Sequence, residues 1–260
     1  MFKKVTIIGA GLIGGSIGLA ARRKGLVKEV VGVCRHRKSL QKAKQKKAIT
    51  EGSLVAKAAV KDADLVILAV PVSRIVQIVR QVAPYLKKGS LITDVGSTKD
   101  DVVRRIERLL PKGVYFIGAH PLAGSEKRGA DSARADLFKN AICILTKTKK
   151  TNSVALNRIA KFWQHLGCRI KILNPQEHDR VVALVSHLPH LAATQLVKVA
   201  KGSLHFAARG FFDTTRIASS DAEIWSDICL SNKRFIVQAI DGYIKRMRFI
   251  RNLILKADKK

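Results

Sequence analysis

His120-Pro121-Leu122-Ala123-Gly124-Ser125-Glu126 places an imidazole just after the apolar run Val114–Ala119. Histidine suits general acid–base work because its ordinary pKa lies near neutral pH. Its plainer fate after a strand is structural, as a polar group satisfied by backbone partners. A second group, Asp94-Val95-Gly96-Ser97-Thr98-Lys99, also follows an apolar run. There Ser97 either positions a ligand or simply caps the next helix. The third group comprises His178-Asp179, Ser186-His187-Leu188-Pro189-His190, Asp213-Thr214-Thr215-Arg216 and Trp225. The planar fork of Arg216 fits a carboxylate bidentately, unless it serves as an ordinary surface ion pair. Ser186 and His190, four apart, share a helix face, with Pro189 bending the helix locally. His178, His187 and Trp225 fit a pocket wall and a core equally well.

These groups need a scaffold, and the N-terminus supplies the first part. Lys3–Ile8 runs into Gly9-Ala10-Gly11-Leu12-Ile13-Gly14, then into a helical pattern. A G-x-G-x-x-G turn after a strand and opening a helix is the setting in which a dinucleotide is bound. Gly9 permits the tight turn, Gly11 lets backbone N–H groups approach the pyrophosphate, and Gly14 lets helix and strand pack closely. The helix N-terminus then offers unpaired donors and partial positive charge. Leu12 and Ile13, with Val70 at the carboxyl end of a later strand, complete the candidate cofactor surface. At the end of the second strand, where NAD enzymes carry a carboxylate, the chain reads Cys34-Arg35-His36-Arg37-Lys38-Ser39. Two guanidiniums and no acid favour NADP. NAD remains open if Arg35 and Arg37 belong only to the general basic excess.

Strand candidates are 5–10, 29–34, 64–70, 90–94, 114–119, 141–146 and 169–173, mostly runs of Val, Ile and Leu. Such runs are expected where both sheet faces are covered. Helical patterns lie between them at 13–24, 39–48, 74–85, 99–110 and 153–166, the fourth opened by the capping-box spacing of Thr98 and Asp101. This alternation predicts an α/β fold, a Rossmann-type doubly wound parallel sheet. After Asn174-Pro175 the strand signal stops, and a smaller all-helical domain is expected, with Gly202 and Gly210 marking breaks. The expected division is a dinucleotide-binding domain over 1–173 and a helical substrate-binding and dimerisation domain over 174–260. Ile236, Ile240, Tyr243, Met247, Ile250 and Ile254 form one apolar stripe on the otherwise basic last helix, which suits a homodimer or packing on neighbouring helices of the same chain, the homodimer being the expectation.

The 260 residues, 47% of them hydrophobic, suffice to bury a sizeable core and exclude a disordered polybasic tail. Cys34, Cys143, Cys168 and Cys229 include no C-x-x-C pair, which points to free thiols in a cytoplasmic protein and to no zinc site. Glycines break the apolar run after Lys3-Lys4, so it reads as neither a secretory signal nor a membrane span. Net charge is +30, from 49 basic and 19 acidic residues. That field attracts polyanions and anionic small molecules alike. The basic residues are spread along the chain with little aromatic interleaving, so no specific nucleic-acid role is expected. A nucleic-acid binder with a vestigial dinucleotide fold would show sequence-selective binding and no cofactor affinity.

Taken jointly, Gly96-Ser97-Thr98-Lys99, His120 to Glu126, Ser186 to His190 and Asp213 to Ala218 resemble the prephenate/arogenate dehydrogenase family over nearly the whole chain. The expectation is a bare dehydrogenase core, without a chorismate mutase segment before it or an ACT domain after it. The resemblance implies that His120 takes the proton of the ring C4 hydroxyl as hydride leaves C4 for a nicotinamide. Oxidation there makes a vinylogous β-keto acid, and loss of the ring carboxylate as CO2 restores aromaticity. It further implies that Arg216 binds the ring carboxylate, that Ser97 positions nicotinamide and substrate, and that His190 meets the substrate side chain. His178 and Trp225 would support the pocket, Ser186 would join His190 in binding substrate, and Glu126 and Asp213 would gate or brace the pocket. The substrate would be an anionic small molecule, prephenate or arogenate. A neutral or positive imidazole at His190 suits the keto acid prephenate better than an ammonium-bearing amino acid. The rival is another two-domain hydroxy-acid dehydrogenase, but such enzymes lean on a lysine where this chain presents histidines and an arginine.

Overall fold

The computed structural model describes residues 2–124 and 129–256, in two compact units, 1–178 and 179–260. Six parallel strands make the main sheet of the first unit: β1 (Phe2–Ile8), β2 (Val27–Val33), β3 (Glu51–Ser53), β4 (Leu65–Leu68), β5 (Leu91–Asp94) and β6 (Tyr115–Ile117). Their order is β3-β2-β1-β4-β5-β6. The helices between them are α1 (Leu12–Arg23), α2 (Arg37–Gln45), the single turn α3 (Ala56–Ala59), α4 (Val72–Val82) and α5 (Asp100–Ile106). Because side chains alternate across a strand, β4 explains the layering by itself. Leu65 and Ile67 enter the core made with α1, whereas Val66 and Leu68 enter the core made with α4 and α5. All four are fully buried, so the strand reads as a continuous apolar run.

Strand β3 is not among the expected strands, and the strands after β6 depart from the expected single sheet. The run 114–119 breaks at Gly118 into β6 and a separate β7 (Ala119–Pro121). A Cβ at Gly118 would stand 2.5 Å from Thr146 Oγ1, so only glycine lets the chain leave the main sheet there. Strand β7 pairs antiparallel with β8 (Ile142–Thr146), and β8 pairs parallel with β9 (Arg169–Leu173), giving a second, three-stranded sheet. Between β8 and β9 runs α6 (Ser153–Leu166), capped by Asn152 Oδ1 on the Ala155 N–H and ended by Gly167 at φ 108°. Its Trp163 is fully buried, edge-on to Phe138.

From Asn174 the chain is helical. α7 (Pro175–Val182) passes into a wider π-type turn at Ala183–His187, followed by α8 (Leu188–Val199) with Pro189 in its first turn. The expected local distortion therefore falls just ahead of the proline, where π-turns are often found at functional sites. α9 (Arg209–Thr215), α10 (Ala222–Ser231) and α11 (Lys233–Leu255) complete the second unit. Gly202 lies in a 3-10 stretch before α9, and Gly210 lies in the first turn of α9. Ala183, Phe235, Ile236 and Ala239 form this unit's buried core. The predicted stripe on α11 leaves that core partway: Ile236 is buried, Ile240 half-buried, and Tyr243, Met247, Ile250 and Ile254 are exposed. Among the described residues no helix is long and apolar enough to cross a membrane.

Candidate active site

Strand order reverses between β1 and β4, since β2 and β3 lie to one side of β1 and β4 to β6 to the other. A ligand crevice forms at such a reversal, beyond the carboxyl ends of the strands. The glycine turn occupies it. Gly9 has φ 98°, and a Cβ there would lie 2.1 Å from Ala69 O and 3.0 Å from Val70 Cγ1, so the turn sits hard against the end of β4. A Cβ at Gly14 would lie 2.1 Å from Gly9 O. Gly11 differs: nothing among the described residues comes within 4 Å of where its Cβ would stand. Packing explains Gly9 and Gly14, while the open space before Gly11, at the N-cap of α1, fits a pyrophosphate approaching backbone donors. Leu12 and Ile13 are half-buried in the first turn of that helix, and Arg35 and Arg37 are exposed where β2 gives way to α2.

The His120 segment is brought beside this turn. A Cβ at Gly124 would meet Ile13 Cδ1 at 3.9 Å. Further along, the Arg134 N–H donates to Ser16 Oγ of α1 at 2.9 Å, and Lys42 of α2 pairs with Asp131. His120 itself lies on β7, opposite Ile144 of β8, and is 8% exposed. Its Nδ1 stands 2.9 Å from Nε2 of His178, which is fully buried. His178, expected only as a pocket support, is thus in direct contact with the candidate base. Glu126 lies outside the described residues.

Ser97 is half-buried, two residues before the N-cap position of α5, which Lys99 occupies. It is therefore not that helix's cap. Sequence reasoning passed over the two ends of the same segment. Asp94 and Lys99 are both fully buried and paired, with Lys99 Nζ 2.5 Å from Asp94 Oδ2. Asp94 Oδ2 also accepts the Gly96 N–H at 2.9 Å, and its Oδ1 accepts the Ala119 N–H at 3.1 Å. Lys99 Nζ donates to Thr98 O at 3.0 Å. One buried carboxylate thus fastens the loop bearing Ser97 to the strand bearing His120. The available signal was an aspartate closing the apolar strand β5 with a lysine five residues further on. An open cavity of about 900 Å³ near Arg104, Lys147 and Glu177 contains none of the candidate residues.

In the second unit, His190 is buried and stacks on Trp225, ring centroids 3.5 Å apart and planes parallel within 1°. Burial lowers its pKa, partly opposed by a hydrogen bond at the Ile217 backbone, so the ring is neutral near pH 7. Its Nδ1 and Nε2 of His187 are buried with no hydrogen-bond partner among the described residues. Orphaned polar atoms of this kind mark where a ligand or water completes a site. Ser186 is half-buried in the π-turn. Arg216 is exposed in the 3-10 turn after α9, and exposed Asp213 lies 3.6 Å from Arg209 as an ion pair.

His187 carries the sharpest electrostatic signature. Burial pushes its pKa down to about 4, a shift opposed by Asp179 and reinforced by His190. Its Nδ1 lies 3.2 Å from Asn232 Nδ2, which also donates to Asp179 O, so Nδ1 accepts and the ring stays neutral. A folded-state pKa below the unfolded value means that the unfolded state takes up the proton first. The stabilisation is complete above the unfolded value and is lost as pH falls toward the folded one. Between pH 7 and 4 this residue should therefore cost about 3 kcal/mol of stability. Urea unfolding across that range checks this, and a His187→Gln variant with the same acid dependence would refute it.

With this geometry in place, comparison with known proteins gives a consistent result. The family model described as prephenate dehydrogenase, nucleotide-binding domain, matches residues 17–172, and that described as prephenate dehydrogenase, dimerization domain, matches 174–260. A cyclohexadienyl dehydrogenase of Zymomonas mobilis is 36% identical over 99% of this chain and 90% of its own. A prephenate dehydrogenase of Lactococcus lactis subsp. cremoris is 36% identical over 98% of this chain and 72% of its own. A crystal structure of prephenate dehydrogenase from A. aeolicus, in complex with hydroxyphenyl propionate and NAD+, superposes with a TM-score of 0.93. It is 32% identical and covers 100% of this chain and 93% of its own. The α/β unit is a nicotinamide-dinucleotide-binding fold, and the chain belongs to the prephenate dehydrogenase family of oxidoreductases.

Proposed function

We propose that this chain oxidatively decarboxylates prephenate to 4-hydroxyphenylpyruvate and CO2, with NADP+ as the preferred acceptor. The observation that carries the reading is a nearly buried histidine on β7, beside the glycine turn, with one ring nitrogen already engaged by a second buried histidine. Because Nδ1 of His120 is committed to His178, proton exchange with the substrate hydroxyl falls to Nε2. When bound, the nicotinamide supplies the acceptor for the hydride from C4. His120 takes the hydroxyl proton, so the hydroxyl becomes a ketone as C4 is oxidised. Arg216 grips the ring carboxylate through its planar fork until that group departs as CO2. Ser97, held by the Asp94–Lys99 clip, orients the substrate, with Glu126 and Asp213 bracing the pocket.

The side-chain end is assigned to the second unit's residues. A neutral His190, backed by Trp225 and flanked by Ser186, offers hydrogen bonding to a keto acid and no counter-charge to an ammonium. Arg35 and Arg37, together with the N-terminus of α2, are assigned to the 2′-phosphate of NADP. The division of labour follows the sequence reading, with cofactor binding by 1–173 and substrate binding by 174–260. Association of two copies through the exposed half of the α11 stripe gives the homodimer, and four free thiols fit a cytoplasmic protein.

Initial rates on prephenate and arogenate, each with NAD+ and NADP+, test the whole reading. Turnover of prephenate with NADP+ is expected to be fastest. Faster turnover of arogenate would reassign the substrate. A KM for NAD+ at least about tenfold below that for NADP+, worth roughly 1.4 kcal/mol, would reassign the cofactor. Inactivity on both substrates would end the proposal.

A further inference from the structure

We infer that His187 is a substrate-binding residue of the helical unit, its Nε2–H donating to the carboxylate at the side-chain end of the substrate. The inference rests on the assignment of that end to the second unit, and it gives a role to a ring that from sequence fits a pocket wall and a core equally well. His187 is 1% exposed, in the π-type turn ahead of α8. Asn232 Nδ2 donates to Asp179 O at 2.8 Å and stands 3.2 Å from His187 Nδ1. An amide NH2 only donates, so Nδ1 is the accepting nitrogen and the neutral ring carries its hydrogen on Nε2. That N–H is buried and has no hydrogen-bond partner among the described residues. A buried donor left unpaired is destabilising, and an apolar side chain of similar size would fill the same space without that loss. Its presence is explained by a group that enters and accepts the hydrogen.

The neighbouring side chains narrow what enters. His190, three residues further on, is buried and also has a nitrogen, Nδ1, without a partner among the described residues. Both rings pack on Trp225, His187 edge-on with centroids 6.0 Å apart and His190 stacked at 3.5 Å. Trp225 is half-buried, so it is the outermost of the three rings and the one that gives way as a ligand enters. Prephenate and arogenate both carry a carboxylate at this end and differ in the keto or amino group beside it. An N–H donor pairs with the carboxylate of either acid and cannot pair with an ammonium. A hydrogen bond to a charged acceptor is about twice as strong as a neutral one. A neutral imidazole also gives up no charge hydration of its own when buried. His187 thus anchors the group common to both acids and leaves the choice between them to the residues around His190.

The test measures binding to the full chain in three forms: unaltered, His187→Gln, whose amide can still donate, and His187→Leu, which cannot. Two probes share ring, hydroxyl and chain: 3-(4-hydroxyphenyl)propionate, and 4-propylphenol, in which a methyl replaces the carboxylate. Calorimetric titrations are run with NAD+ and NADP+ both present. His187→Leu should weaken the propionate about 10- to 100-fold, the span of a hydrogen bond to a charged group, and leave 4-propylphenol nearly unchanged. His187→Gln should keep most of the propionate affinity. Because the two probes are compared within each variant, a general loosening of the fold cancels from their ratio. Nitrogen-15 spectra of the unaltered chain should show His187 protonated on Nε2, with that signal moved by the propionate and not by 4-propylphenol. Equal weakening of both probes in the Leu form, an unchanged propionate affinity there, no binding of the propionate to the unaltered chain, or an Nδ1–H ring would each overturn the assignment. If the unaltered chain turns over neither prephenate nor arogenate, the functional reading falls while the probe ratio still decides the role of His187.

Discussion

Replacing His120 by asparagine lowers turnover by roughly 10²–10⁴-fold, the span a well-placed general base contributes, and leaves dinucleotide affinity unchanged. The asymmetry follows from where the residue sits. The pyrophosphate cradle proposed above uses backbone at Gly9, Gly11 and the start of α1, and the atoms nearest to Gly9 and Gly14 belong to Ile7, Gly9 itself, Ala69 and Val70. Asparagine also keeps a polar group at a site that is 8% exposed, so β7 should retain its pairing with β8. Tight cofactor binding with failed turnover is therefore expected, measurable by fluorescence titration beside initial rates. Normal turnover in this variant would remove His120 from the chemistry, whatever its contact with His178.

The parallel sheet was legible because buried strands leave little choice of composition. Leu65 to Leu68 face two apolar cores and read as a continuous run, and the glycine turn follows the most apolar part of β1. β3 was invisible for the converse reason. Glu51-Gly52-Ser53 is an exposed edge that pairs only with β2 and buries no apolar side chain. The starts of β1 and β2 were masked by Lys3, Lys4 and Lys28, polar residues at strand ends. Separating β7 from β6 required knowing that Thr146 and the stem of Lys99 crowd Gly118, contacts between residues far apart in the chain. The same limit applied to the site. His120, Ser97 and the histidines after residue 177 could be marked from type and spacing. The 58-residue span joining His120 to His178 carries no periodicity that would pair them.

The Asp94–Lys99 pair shows most clearly how position overrides residue type. Lysine and aspartate are almost never fully buried unless paired, and here both are at 0% exposure. Lys99→Met keeps the length of the stem that packs near Gly118 but leaves the Asp94 carboxylate buried without its cation. Breaking a buried pair from one side costs about 3–5 kcal/mol, so this variant should lose that much stability. For a chain of this size the loss corresponds to a fall in Tm on the order of 10 °C. The double variant Asp94→Asn with Lys99→Met should recover part of it, since the uncompensated charge is gone while one amide oxygen still accepts from the backbone. Full recovery is not expected. Asp94 serves the Gly96 and Ala119 N–H groups with different oxygens, and asparagine has only one acceptor oxygen. Catalysis adds an independent readout, because loosening this clip frees the Ser97 loop from the His120 strand. Even the folded fraction of the single variant should turn over more slowly. A loss below about 1 kcal/mol in the single variant would mean that water reaches Asp94 and that the pair is not the fastener described.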